Sequence, residues 1–293
     1  MINKILELIA SIFAKKPSAK PLSSPTISTE AAFEQLEKLN TYSSIPEKQS
    51  SITGSQFIQN NLSLNGSIRE TNILREFTNG NIPDFLRTFV PITIKNGTNT
   101  ITYYVMPDYL SIGTNEDYCR MPMNPLTART ITDLYGCVLP TKKMVDDIYK
   151  NADIKLQAKP YGPPYNEEME STTRFQWSNN AIQNQLAGKA LGELVAGHKK
   201  DVVIGKQLLT NKKNVGIYGW FLNGTAIQGP NPNYSSHSSL YSDYSHGIRL
   251  ISAQCIVNNN QTDIYSVLKD PKLCNLISSE GSFDATTIYK ESK

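Results

Sequence analysis

Apolar and polar positions alternate with two different periods along this chain, and the switch between them divides it. In residues 1–14, Ile2, Ile5, Leu6, Ile9, Ile12 and Phe13 recur at three- and four-residue steps, which predicts an amphipathic helix. Residues 15–51 lose the pattern. They are rich in Pro, Ser and Lys, with one short helical stretch at 30–40, and this composition predicts a linker. From residue 52 onward periodic segments follow one another closely. Helices are expected at 66–79, 125–135, 141–151 and 173–186. On the first of these, Arg69, Glu70, Arg75 and Glu76 are assigned to one side and Ile73, Leu74 and Phe77 to the other. Thr141 can cap the third, and Pro140 separates it from its predecessor.

The period then shortens to two. Residues 89–95 and 99–106 flank Asn96-Gly97, a hairpin turn signal, and Asn223-Gly224 marks a second hairpin after Trp220-Phe221-Leu222. Further strands are expected at 201–204, 214–222 and 247–257. Residues 152–172 are Pro-rich and irregular, of a length that suits a lid or the wall of a groove. The fold class is therefore α+β: N-terminal helices followed by a mostly antiparallel β-sheet in a single main domain, residues 52–293.

Composition narrows the function classes. Net charge is only +3 and no Lys/Arg block is long, which argues against a nucleic-acid surface. Cys119, Cys137, Cys255 and Cys274 form no CxxC pair, so a zinc knuckle is not expected; free thiols and one or two disulfides both remain open. The segment 1–14 is too short to span a bilayer, and with Glu7 inside and Lys15-Lys16-Pro17 at its exit it is a poor signal peptide. It reads either as a docking helix for a protein partner or membrane surface, or as a helix packed on its own domain. Particle association or non-classical export would fit such a chain.

The chemistry-bearing residues gather in the last third. His198, His237 and His246 are the three histidines of the chain, and imidazole titrates near neutrality. Gly197-His198-Lys199-Lys200-Asp201 opens one strand, and Asp201 is the carboxylate expected to orient His198. Asp243-Tyr244-Ser245-His246-Gly247 opens another. If that stretch is extended, Asp243 and Ser245 face one way and Tyr244 and His246 the other. Arg249 is a possible carboxylate clamp. Tyr218, Trp220 and Tyr244 offer aromatic faces for sugar or peptide, and His237 is a further binding candidate. For each of these a plainly structural role is the competing reading. Cys137 is the alternative nucleophile, placed before a helix with His198 following in the chain.

Three resemblances bear on these residues. His237 and Asp243 are similar to the His…Asp pair of zinc D,D- or L,D-peptidases, although they stand six residues apart where seven is usual, so zinc is only weakly implied. The order Cys137 then His198 is similar to papain-like cell-wall peptidases of the CHAP and NlpC types, although those place the cysteine inside the helix start. Residues 66–257 resemble uncharacterised bacterial and phage-associated proteins in Asn81-Ile82-Pro83-Asp84-Phe85-Leu86-Arg87, Pro107-Asp108-Tyr109-Leu110-Ser111-Ile112-Gly113, Leu139-Pro140-Thr141, Gly197-His198-Lys199-Lys200-Asp201 and Asp243-Tyr244-Ser245-His246-Gly247. That likeness implies a prokaryotic or viral origin and carries no catalytic role. The expectations are thus a hydrolase of bacterial cell wall centred on His198 and His246, acting on peptidoglycan or a peptide-like substrate, or a non-enzymatic structural or cargo protein of a virion or contractile secretion particle.

Overall fold

The computed structural model describes residues 44–49, 52–162, 168–229 and 237–290, all within one compact unit, Tyr42–Lys293. The expected docking helix at 1–14 and most of the linker lie outside the described residues. The packed body starts earlier than residue 52. Ser44 N donates to Tyr135 O, Gln49 N to Asn79 O, and Lys48 Nζ to Gly113 O at 2.8 Å, so residues 44–49 are strapped to the body.

Six α-helices occur among the described residues, most of them early. They are α1 (Gly54–Asn61), α2 (Gly66–Thr78), α3 (Pro125–Leu134), α4 (Lys142–Asn151), α5 (Thr172–Leu186) and α6 (Ile264–Lys269). Each starts where a side-chain oxygen can accept a free amide. Thr53 and Gln56 form a capping box on α1, and Asn65, Asn124, Thr141, Ser171 and Asp263 cap the others.

The sheets are mostly antiparallel. One runs β1 (Val90–Asn96), β2 (Asn99–Val105), β12 (Ile251–Val257) and β13 (Asn260–Asp263), with β5 (Cys137–Val138) also on β12. The hairpin turns at Asn96↔Asn99, with Gly97 at φ 59°. The second sheet runs β10 (Thr225–Gln228), β9 (Ile217–Leu222), β8 (Lys200–Val202), β11 (His246–Gly247). Two short pairs, β3 (Ser111–Gly113) with β4 (Tyr118–Arg120) and β6 (Ile154–Lys155) with β7 (Val195–Ala196), complete it. The β8–β11 and β6–β7 pairings are parallel. β6 lies inside the stretch expected to be irregular. β13 and α6, absent from the sequence pattern, close the C-terminal side.

The side assignment on α2 needs correction. Arg69 and Glu76 are buried with Ile73 and Phe77, whereas Arg75 is exposed. Positions 69, 73, 76 and 77 follow the i, i+4, i+7 rule and share one face, so two charges belong to the core side. Partners make this tolerable: Arg69 Nη1 reaches Thr172 Oγ1 at 3.3 Å and its guanidinium lies 4.5 Å from the centre of the Phe175 ring, while Glu76 accepts from Asn81 Nδ2 at 2.9 Å.

Candidate functional site

The second sheet brings the two histidine motifs together. The parallel β8–β11 pair sets His246 opposite Lys200 and Gly247 opposite Asp201, and Lys200 N donates to Ser245 O at 2.7 Å. On the other side β9 sets Gly219 opposite Lys200 and Tyr218 opposite Asp201. The two imidazoles nevertheless enter different surroundings.

His198 belongs to a closed ionic network. Its Nε2 lies 3.0 Å from Asp108 Oδ1, and Arg120 grips the same carboxylate through Nε at 3.2 and 3.1 Å and through Nη2 at 2.5 Å. All three side chains are at most 2 % exposed. Burial outweighs the attraction of Asp108 and lowers the His198 pKa to about 4, leaving the ring neutral at neutral pH. Burial opposes ionisation of Asp108, but the Arg120 charge and the hydrogen bonds it receives hold its carboxyl well below the usual carboxylate range. The carboxylate on His198 is therefore Asp108, not Asp201. Asp201 instead accepts from Tyr109 OH at 2.7 Å, and burial lifts its pKa to about 7.

Arg249 is not a substrate clamp. It is fully buried, donates to the carbonyls of Met106 at 3.0 Å and Val195 at 2.6 Å, and covers the Tyr109 ring at 4.1 Å. Tyr218 also turns away from the histidines. Its hydroxyl donates to Asp146 Oδ1 at 2.8 Å, and its ring packs with Val145, Val203 and Phe221. Cys137 sits in strand β5, opposite Ser252, ahead of α4 and outside its first turn. Its Sγ contacts Tyr135 O, and burial pushes its pKa far up, so the thiol stays protonated. All four cysteines are free and buried.

His246 differs. It has no exposed surface, and among the described residues neither ring nitrogen has a hydrogen-bond partner. Burial lowers its pKa to about 4 against the opposing charge of Asp243. The segment before it is not extended. His246 N donates to Asp243 O at 3.0 Å, and Asp243 Oδ1 accepts from Ser245 N at 2.8 Å and from Ser245 Oγ, forming a tight turn. That turn brings Asp243 and His246 together where an extended strand would have parted them. Burial would raise the Asp243 pKa, but His246, Lys200 and the Ser245 bonds bring it below its ordinary value. Tyr241 OH donates to Asp243 Oδ2 at 3.1 Å, and its ring stands edge-on to His246 at 5.7 Å. His237, which is exposed, stacks on Tyr241 at 4.2 Å. The order His246, Tyr241, His237 thus runs from core to surface. Glu70 of α2 anchors the preceding residue through Ser242 Oγ at 3.4 Å.

Aromatic rings adjoin this cluster. Trp220 and Tyr244 meet edge-to-face at 6.3 Å, Trp177 of α5 adds a ring at 5.7 Å from Tyr244, and the Lys200 ammonium stands 4.8 Å from the Trp220 ring centre. Trp220 holds φ 55°, an uncommon conformation for a bulky residue. The irregular stretch expected to form a wall does touch this group: Tyr161 N donates to Tyr244 OH at 2.7 Å, and Tyr244 N donates to Met169 O. Two cavities of about 280 and 380 Å³ lie elsewhere, lined by no histidine; the larger is bordered by Asp108, Tyr118, Gln183 and Val195.

Asp108, Arg120 and Trp177 were absent from the sequence-based site. Asp108 stood in view in the Pro107-Asp108-Tyr109 motif, but its pairing with a histidine 90 positions later leaves no local signal. Among the described residues no three His, Cys, Asp or Glu side chains are placed to hold a metal ion, so the zinc expectation gains no ligand set, and no helix is long and apolar enough to cross a membrane. Comparison of the chain with protein-family models, with curated proteins and with solved structures finds no match.

Proposed function

We propose that this chain is a hydrolase of peptide-like bonds in bacterial cell wall, with His246 as general base and Asp243 as the carboxylate beside it. The observation that carries the reading is the bare imidazole of His246. Leaving a buried polar group without a partner costs about 1–3 kcal/mol, and such groups call for an explanation beyond stability. A neutral ring with a free lone pair is the form a general base needs. The ionised Asp243 stabilises the imidazolium formed when that ring takes a proton from water or from another nucleophile. The Tyr241 ring stands between that imidazole and the exposed His237. Trp220, Tyr244 and Trp177 supply apolar faces beside Lys200, a combination suited to sugars and peptides. The cell-wall substrate rests on the similarity of the Cys137 and His198 order to papain-like cell-wall peptidases and of His237 and Asp243 to the pair of zinc D,D- or L,D-peptidases.

A second reading is a non-enzymatic structural or cargo protein of a virion or secretion particle. It is favoured by the His198–Asp108–Arg120 network, which is buried and spends its ionic groups on one another. The two readings part in a turbidity assay on purified peptidoglycan, with and without chelator. Clearing by the wild-type chain and none by a folded His246→Ala variant supports the hydrolase. No clearing by either supports the particle protein.

A further inference from the structure

Lys199 lies between the two histidines in sequence and nearer to neither in chemistry. It is a buried lysine, 1 % exposed, whose Nζ lies 3.0 Å from Ser178 Oγ and also donates to the Tyr244 carbonyl oxygen. Both partners are neutral. Ser178 sits on the buried face of α5, one residue after Trp177 and one before Asn179, and is itself 6 % exposed. Three independent elements therefore converge: α5 delivers the hydroxyl, the bend before β8 delivers the amine, and the turn before β11 fixes the amine through Tyr244 O. A lysine without a counter-ion at hydrogen-bond distance from a serine is the arrangement by which several hydrolases activate a hydroxyl without histidine.

We propose that Ser178 and Lys199 form a nucleophile–base pair for acyl transfer from an ester or amide carbonyl. The proposal rests on the hydrolase reading above and names its nucleophile. Burial supports it by lowering the Lys199 pKa to about 7, so that the free amine is well populated near neutral pH. In the first step Lys199 Nζ takes the Ser178 hydroxyl proton while Oγ bonds to the carbonyl carbon. The tetrahedral intermediate then expels the leaving alcohol or amine, which receives that proton from Lys199. In the second step water attacks the acyl-serine, its proton passes to Nζ, and the carboxylic acid leaves as Ser178 Oγ regains a proton from Nζ. Asp243 and His246 belong to the same turn as Tyr244, whose carbonyl oxygen accepts from Lys199 Nζ.

The test is labelling of the whole 293-residue chain with a fluorophosphonate. In the labelling step a Ser178 Oγ–P bond forms, the P–F bond breaks, fluoride leaves and Lys199 takes the hydroxyl proton. Mass spectrometry of the tryptic peptides locates the adduct. The expected result is a single adduct on Ser178, absent in Ser178→Ala and slowed at least tenfold in Lys199→Met, with thermal melts confirming that both variants fold. If Lys199→Met does not fold, Lys199→Arg, which keeps the charge but cannot lose it near neutrality, replaces it with the same expectation. A folded wild-type chain that leaves Ser178 unlabelled overturns the pair. Equal labelling rates in wild type and the lysine variant overturn the role of Lys199. Labelling of Ser178 without clearing of peptidoglycan keeps the pair and removes the cell-wall substrate. Clearing that survives Ser178→Ala keeps the hydrolase and removes the pair.

Discussion

Replacing Arg120 by Met isolates the cost of the sealed network behind His198. Arg120, whose side chain is buried, contributes Nε and Nη2 to Asp108 and Nη1 to Asn179 Oδ1 at 3.1 Å. Methionine fills much of the volume and removes the charge, leaving Asp108 buried with His198 and the Tyr109 amide. Breaking one side of a buried ion pair costs about 3–5 kcal/mol because the other charge is left uncompensated. For a unit of this size each kcal/mol lowers the melting temperature by about 2–4 °C, so the expected fall is about 6–20 °C. The assay is thermal unfolding by circular dichroism at pH 7. The double variant Asp108→Leu/Arg120→Met removes both charges and should recover part of the loss, since replacing the whole pair by apolar groups is often near neutral. A fall below about 3 °C for Arg120→Met, or a double variant as unstable as the summed singles, would refute the view that an uncompensated Asp108 is what costs stability.

Three further outcomes follow from the same geometry. A methyl at Gly247 would stand 2.6 Å from Tyr109 Cδ1 and 2.7 Å from Lys199 Cβ, and Tyr109 is pinned by Asp201, so Gly247→Ala should destabilise by about 1–3 kcal/mol in urea unfolding; an unchanged midpoint would show that the ring can yield. The lowered His246 pKa means that the unfolded chain takes up a proton first, so its contribution to stability is lost as pH falls from about 6.5 toward 4; His246→Asn should flatten that part of the melting-temperature profile, and an unchanged slope would count against its neutral burial. Cys137→Ser should leave activity intact and native Cys137 should resist iodoacetamide, because its thiol is held protonated by burial; rapid alkylation with loss of activity would restore the papain-like alternative.

Local patterns made most of the framework legible. Asn96-Gly97 and Asn223-Gly224 each turn a hairpin, and the helices after Asn124, Thr141 and Ser171 start where their caps stand. The α+β class followed from these. What local pattern could not supply was partnership at long range. His198 meets Asp108 and Arg120 because the bend after β7, β4 and the chain before β3 converge, and Lys199 meets Ser178 because its ammonium reaches from the bend before β8 to α5. Nearby charges misled where a distant partner was better placed: Asp201, three residues from His198, bonds Tyr109 instead. Opposite faces for Asp243 and His246 hold only if that stretch is extended, whereas the Asp243 side chain caps its own turn. Arg249 is a possible clamp in the sequence because it stands two residues beyond Gly247, but its guanidinium donates to two carbonyls in the core.

The most direct test of the central claim compares two single variants on purified peptidoglycan, His246→Asn and His198→Asn, each first shown to be folded. General bases contribute on the order of 10²–10⁴ in rate. The account predicts that His246→Asn loses turnover by at least a hundredfold, while His198→Asn, whose ring is enclosed by Asp108 and Tyr109, loses stability and keeps turnover. Full turnover in His246→Asn together with its loss in folded His198→Asn would contradict it.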